Sequence, residues 1–186
     1  MNAYKLPTSL RVGEVDYKIR TDFDEILNIL DAMNDPDFPD EGKGFVQIAC
    51  LYENWRDIPQ ELYEEAIQIG NKFIDHGLAE DDGKPQLKLM DWRQDANLIV
   101  PAVNAVAHTD IRLIEHLHWW TFLDWFMEIR ESLFSNVLNI RQKKAKHKKL
   151  EKHEREFYRE HRTLIDLKER ESEEAKQEKD NLLKWL

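Results

Sequence analysis

Apolar and polar residues alternate on both sides of Gly13-Glu14, through Leu10-Arg11-Val12 before it and Val15-Asp16-Tyr17-Lys18-Ile19 after it. Two alternating runs joined by two residues, with glycine first, predict a β-hairpin. An isolated hairpin is marginal in water, so this one has to pack against helices or pair with another chain. The period then changes. Phe23, Ile26, Leu27, Leu30 and Met33 recur at spacings of three and four, with Thr21 or Asp22 ahead of them as a helix cap. Residues 34–42 hold two prolines and a glycine among acidic side chains and read as a loop. A second helix is expected over 45–54. A third starts near Pro59, carries Leu62, Ala66, Ile67, Phe73 and Ile74, and stops before Gly77. The polar stretch 78–90 is the best internal boundary.

Beyond it, the periodicity predicts a helix over 91–107, kinked if at all by Pro101, and a break at His108-Thr109-Asp110. A strongly aromatic helix is expected over 111–129, another over 132–146, and a last one from Leu150 nearly to Leu186. Leu150, Phe157 and Leu164 are spaced by seven, but Glu171 ends the series and any coiled-coil seam is short. The fold class is therefore mostly α: a helical domain with a short N-terminal β-hairpin and a long C-terminal helix. Its segments are 1–77, with the hairpin and first helices; 91–149, an aromatic helical core; and 150–186, a helical extension. Residues 1–149 are expected to form one domain.

Composition adds an asymmetry that periodicity cannot show. The 186 residues carry a formal charge of −10, yet residues 1–110 hold 10 basic and 22 acidic side chains (−12) and residues 111–186 hold 17 and 15 (+2). Arg141, Lys143, Lys144, Lys146, Lys148 and Lys149 stand in one run free of acidic residues. Overall acidity argues against sequence-independent nucleic-acid binding as the main role, though a local patch can still meet phosphate. The lone Cys50 cannot form an internal disulfide, which fits a reducing interior. The first residues lack a signal-peptide core and no apolar run nears the ~20 residues of a membrane span, so a cytoplasmic protein is expected.

Candidate chemistry is sparse. His116 and His118 are two apart and point to nearly opposite sides of a helix, so they cannot share an ion. Glu115 and His118 have the spacing used in di-iron bundles, but the second such pair those sites need does not occur. Asp35, Asp37 and Asp40 faintly suggest a calcium loop, interrupted by Pro36 and Pro39. Phosphate-loop, nucleophile-elbow and dinucleotide motifs do not occur. No catalytic residue, cofactor or metal site is expected. Trp119, Phe122, Leu123 and Phe126 form the stripe of a buried helix face, leaving Trp120 as the aromatic expected to be partly exposed. The basic run has a solvated-helix reading, a protein-docking reading and a phosphate reading; Glu151, Glu154, Glu156 and Glu160 follow closely enough to screen or pair with it.

One series of residues carries a resemblance. Asp91-Trp92 with Asp95 and Ile99, Asp110, His118-Trp119-Trp120 with Phe122, Asn139-Ile140-Arg141 with its lysines, and Leu150 with Glu154-x-Glu156-Phe157-Tyr158-Arg159 follow one another in order. With the opening LRVGEVDYKIRTDF, the series resembles the bacteriophage tail-gene family catalogued as gene product fifteen, found in long-tailed phages and prophages of Gram-positive bacteria. His108 stands where that pattern has an aromatic residue. The resemblance implies no enzymatic role. It implies a gene between major tail protein and tape measure, the position of tail assembly chaperones, which keep the helical tape-measure protein soluble in the host cytoplasm and leave before the virion is complete.

Candidate partners are thus the tape-measure protein and a second tail assembly chaperone, with self-association open and no membrane. Trp120, Arg141, Lys143, Lys144, Lys146, Lys148 and Lys149 are the expected partner-binding residues, and Trp185 a further exposed aromatic. Two rivals remain: a structural tail component kept in the virion, and a nucleic-acid-binding accessory that uses the basic run.

Overall fold

Gly13 adopts φ +56 at the first position of the hairpin turn, a backbone state that costs glycine little and other residues much. It lets β1 (Ser9–Val12) fold back on β2 (Val15–Lys18) with Val12 opposite Val15 and Leu10 opposite Tyr17. The structure is a computed structural model and describes residues 4–77, 87–168, 170 and 172. The fold is mostly α, with eight α-helices and this hairpin among the described residues. The chain divides into two units, Met1–Ala79 with Glu169–Leu186, and Glu80–Lys168.

In the first unit, Leu10, Val12, Tyr17 and Ile19 turn inward from the hairpin. It packs against helices, one of the two outcomes its marginal stability required, and Gly13 N–H donates to the Glu65 carboxylate at 3.0 Å. Helix α1 (Phe23–Met33) buries Ile26 and Ile29. Helix α2 (Asp40–Leu51) starts earlier than expected and ends at Leu51, because Tyr52 turns extended and bridges to Ile19 beside the hairpin. Arg20 donates to the carbonyls of Ala49, Cys50 and Tyr52 at 2.8–3.3 Å, a cation placed where a helix C-terminus leaves its carbonyls unpaired. Helix α3 (Tyr63–Ile74) follows two 3-10 turns, so the helix expected to begin at Pro59 starts four residues later. Helices α2 and α3 approach closely at Gly70, where a Cβ would lie 2.7 Å from Gln47 Nε2 and 2.9 Å from Leu51. Arg170 holds Asp31 of α1, through the carboxylate at 2.6 Å and the carbonyl at 3.3 Å.

The second unit contains α4 (Ala96–Ala107), α5 (Trp119–Met127), α6 (Leu133–Ala145), α7 (Lys152–Glu160) and α8 (Arg162–Ile165). Helix α4 begins five residues later than its periodicity predicts. The Asp91 carboxylate accepts from the N–H groups of Arg93 and Gln94, and Asp95 accepts from Asp91 N–H, which ties 91–95 into a turn. Pro101 is tolerated inside α4 on its exposed side. The aromatic helix expected over 111–129 is confined to α5: Asp110 caps a 3-10 turn at Ile111–Leu113, and His118 Nδ1 accepts from Trp120 N–H at 3.1 Å and starts the helix afresh. Around it pack Trp92, Trp119, Phe122, Phe126 and Phe134, with ring centroids 4.9–6.4 Å apart.

The long terminal helix is also corrected. Helix α7 stops at Glu160, His161 intervenes, and the short α8 buries Ile165, so Leu150, Phe157 and Leu164 do not share a helix and form no seam. Residues 150–168 fall in the second unit. The remainder of the expected helix, including Trp185, lies outside the described residues.

Candidate protein-binding surface

Helix α6 carries the basic run, and its N-terminus is set by a reciprocal cap. Ser132 Oγ accepts from Ser135 N–H at 3.0 Å and Ser135 Oγ accepts from Ser132 N–H at 2.8 Å. From that start, Arg141 falls on the buried face with Val137 and Ile140. Its side chain is 7% exposed and that of its partner Asp95 is 2% exposed. The guanidinium donates to both Asp95 oxygens at 2.7 and 2.9 Å and to the carbonyls of Leu89, Leu164 and Ile165 at 2.6–3.0 Å. All five donors of the fork are therefore used. This residue is a tie between the turn before α4, α6 and α8, with no donor left to meet a partner. The side chain expected on a docking surface is buried inside the unit.

The next two cations are spent in the same way. Lys143 Nζ lies 2.5 Å from the Glu154 carboxylate, which also accepts from Asn139 and from Glu151 N–H at the start of α7. The hydrogen bond from Lys143 and then that from Glu151 N–H hold the Glu154 carboxyl below the usual range. Lys144 bonds Asp166 and Tyr158, and Tyr158 in turn donates to Asp166 at 2.8 Å. Burial pushes the Asp166 carboxyl up, but hydrogen bonds from Lys144, Tyr158 and Arg162 outweigh it and lower the pKa. Pairing by Glu154 was open from the spacing of charges alone. Asp95 and Asp166 were not, being 46 and 22 residues from their cations. The one available signal was that Asp95 and Arg141 both belong to the residues that carry the family resemblance.

Trp120 is 3% exposed, which corrects its expected exposure. Trp119 and Trp120 lie about 100° apart around α5, so burying both requires cover on two sides, and only an almost wholly apolar helix such as WWTFLDWFM tolerates that. His118 is a cap, and among the described residues no cluster of three His, Cys, Asp or Glu is placed to hold a metal ion. Among the same residues no helix is long and apolar enough to cross a membrane.

What stays outside is a single turn. His147 takes φ +52, its N–H donates to Lys144 O at 3.0 Å and Lys148 N–H to Lys143 O at 2.7 Å, the paired bonds of a Schellman ending to α6. Three residues later the Glu151–Glu154 capping box opens α7. Fixed at both ends, the turn holds Lys146, Lys148, Lys149 and Lys152 exposed, with no side-chain partner among the described residues. Beside it, between α6 and α7, runs a groove of about 300 Å³ lined by Ile140 and Phe157, by Asn136, Asn139 and His153, and by Glu154, whose charge is paired with Lys143. Leu87, Leu113, Met127 and Leu133 are large apolar side chains that this unit leaves 48%, 83%, 52% and 49% exposed.

The unit is also distinct in charge. Residues 80–168 carry 16 basic and 15 acidic side chains (+1), whereas the other unit carries 11 and 22 (−11). No curated protein and no solved structure matches the chain. A family described as Bacteriophage Gp15 protein matches residues 3–167, from ahead of the hairpin through α8 and so across the residues that build the Arg141 tie. By that match over most of its length, the chain belongs to the bacteriophage Gp15 protein family.

Proposed function

We propose that this phage protein is a non-enzymatic tail assembly chaperone, which binds the tape-measure protein in the host cytoplasm and leaves before the virion is complete. Family membership makes it a phage protein. The observation that supports the finer reading is the set of large apolar side chains left uncovered on a charged exterior, among them Leu87, Leu113, Met127 and Leu133 of the second unit, 48–83% exposed. A chaperone for a long apolar helix needs apolar contacts to cover it and surrounding charge to keep the complex in solution. The internal use of Arg141, Lys143 and Lys144 favours protein contacts over nucleic acid, because it removes three cations from the run that would otherwise track a phosphate backbone.

Co-expression with the tape-measure protein of the same tail-gene cluster tests this reading. The expected result is a larger soluble yield of that protein and a co-purifying complex. Equal insolubility with and without this chain, and no co-purification, overturns it. Mass spectrometry of purified virions separates the structural alternative, which requires this chain at fixed stoichiometry in the particle.

A further inference from the structure

We infer that the α6–α7 turn and the groove beside it form a docking site for an acidic amphipathic helix, with carboxylates on Lys146, Lys148 and Lys149 and an apolar anchor over Ile140 and Phe157. The inference deepens the protein-binding reading above and rests on it. Three observations converge. The lysines are presented by a turn fixed by a Schellman ending and a capping box, so little order has to be imposed on the backbone when a partner binds. The groove runs away from that turn along the same two helices: Lys143 meets Glu154 one turn from Lys146, and Asn139 meets Glu154 one turn further along α6. A ligand helix can therefore place charge at the turn and an anchor in the groove at i, i+3 or i, i+4 spacing.

Charge complementarity selects the occupant. The turn presents four exposed lysines within seven residues against one acid, Glu151, whose side chain is engaged in the capping box of α7, while the nearby Glu154 and Asp166 are already paired, so an acidic partner is favoured at the turn. Nucleic acid fits less well. The cationic footprint covers one turn only, and the apolar Ile140 and Phe157 offer a phosphate backbone nothing.

The probe is a fluorescein-labelled peptide with leucine at i, i+4 and i+7 and glutamate or alanine elsewhere, titrated with the full chain and followed by anisotropy. Saturable binding that weakens with salt is expected. The K146E/K148E/K149E variant should bind roughly tenfold or more weakly, as should Asn136→Arg, which puts a long side chain into the groove. All of these positions are exposed, and unchanged melting curves will show that the variants fold. No binding to the wild-type chain, or equal binding by the triple variant, overturns the inference. So does equal binding by a peptide with serine in place of leucine, or tighter binding by single-stranded DNA of matched charge, since either means that charge alone is read. If the triple variant still co-purifies with the tape measure, the chaperone reading stands and this docking site falls.

Discussion

Asp95 and Arg141 bury opposite charges in a site where every guanidinium donor is satisfied. The value of such a pair appears when it is broken, because the surviving charge is left without water or a partner. Arg141→Ala is expected to destabilise the chain by about 3–5 kcal/mol in urea unfolding. Arg141→Lys should recover only part of that, since an ammonium cannot reproduce the two-oxygen fork on Asp95 together with three carbonyl contacts. Trp120→Ala should cost about 3–5 kcal/mol, comparable with Trp119→Ala, because both rings are buried. Lys148→Ala, on the exposed turn, should fall within about 0.5 kcal/mol of wild type. If Arg141→Ala proves neutral while Lys148→Ala is severe, the division of the basic run drawn above is reversed.

At the scale of elements, the helices are ended by local devices whose strength can be measured. Ser132→Ala removes the cap on Ser135 N–H while leaving the reciprocal bond from its own N–H to Ser135 Oγ, and should cost about 1 kcal/mol. His147 occupies the left-handed region, which costs a side-chain-bearing residue roughly 1–2 kcal/mol. His147→Gly should therefore raise the melting temperature and His147→Val lower it, with the docking lysines unchanged. Acid should act through the α6–α7 contact. The folded pKa of Glu154 lies below its ordinary 4.5, so its contribution is present above about pH 4.5 and is lost as pH falls through the lower folded value. Unfolding followed from pH 6 to 3 should show a stability loss below about pH 4.5 that is shallower in Glu154→Gln. Identical slopes in the two proteins would mean that the Lys143 contact contributes nothing in solution.

Over the whole molecule, the net charge of −10 is carried by one unit at −11, while the other stands at +1. A polyanion approaching the exposed lysines meets a short cationic turn on a molecule that is acidic overall. Binding to DNA or RNA should thus be no tighter than about 10 μM near physiological salt, within the ~100 to 1 μM range of non-specific contacts. A gel shift that is tight, sequence-selective and abolished by neutralising Lys146, Lys148 and Lys149 would promote the nucleic-acid alternative. Division into two units also means that one melting temperature need not describe the chain, so the substitutions above should be compared with a probe placed in the second unit, such as a fluorophore attached at an exposed position of α7.

The sequence alone determined the hairpin and its turn, the presence and order of the main helices, and the family. Each depends on residues within about one helical turn or one strand pair of each other, which is the range over which periodicity and turn chemistry act. The resemblance works similarly, by ordered short motifs. The tertiary structure decided the rest. Which lysines are free depends on Asp166 and Glu154 folding back on α6, and the burial of Arg141 depends on Asp95, 46 residues away. His161 interrupts a helix that its own neighbours favour, and beyond the break Ile165 is buried. Trp120 is inside because α5 is covered on two sides, a fact about its neighbours in space. Burial and charge pairing are properties of what packs against a residue, and the chain leaves that open until it folds.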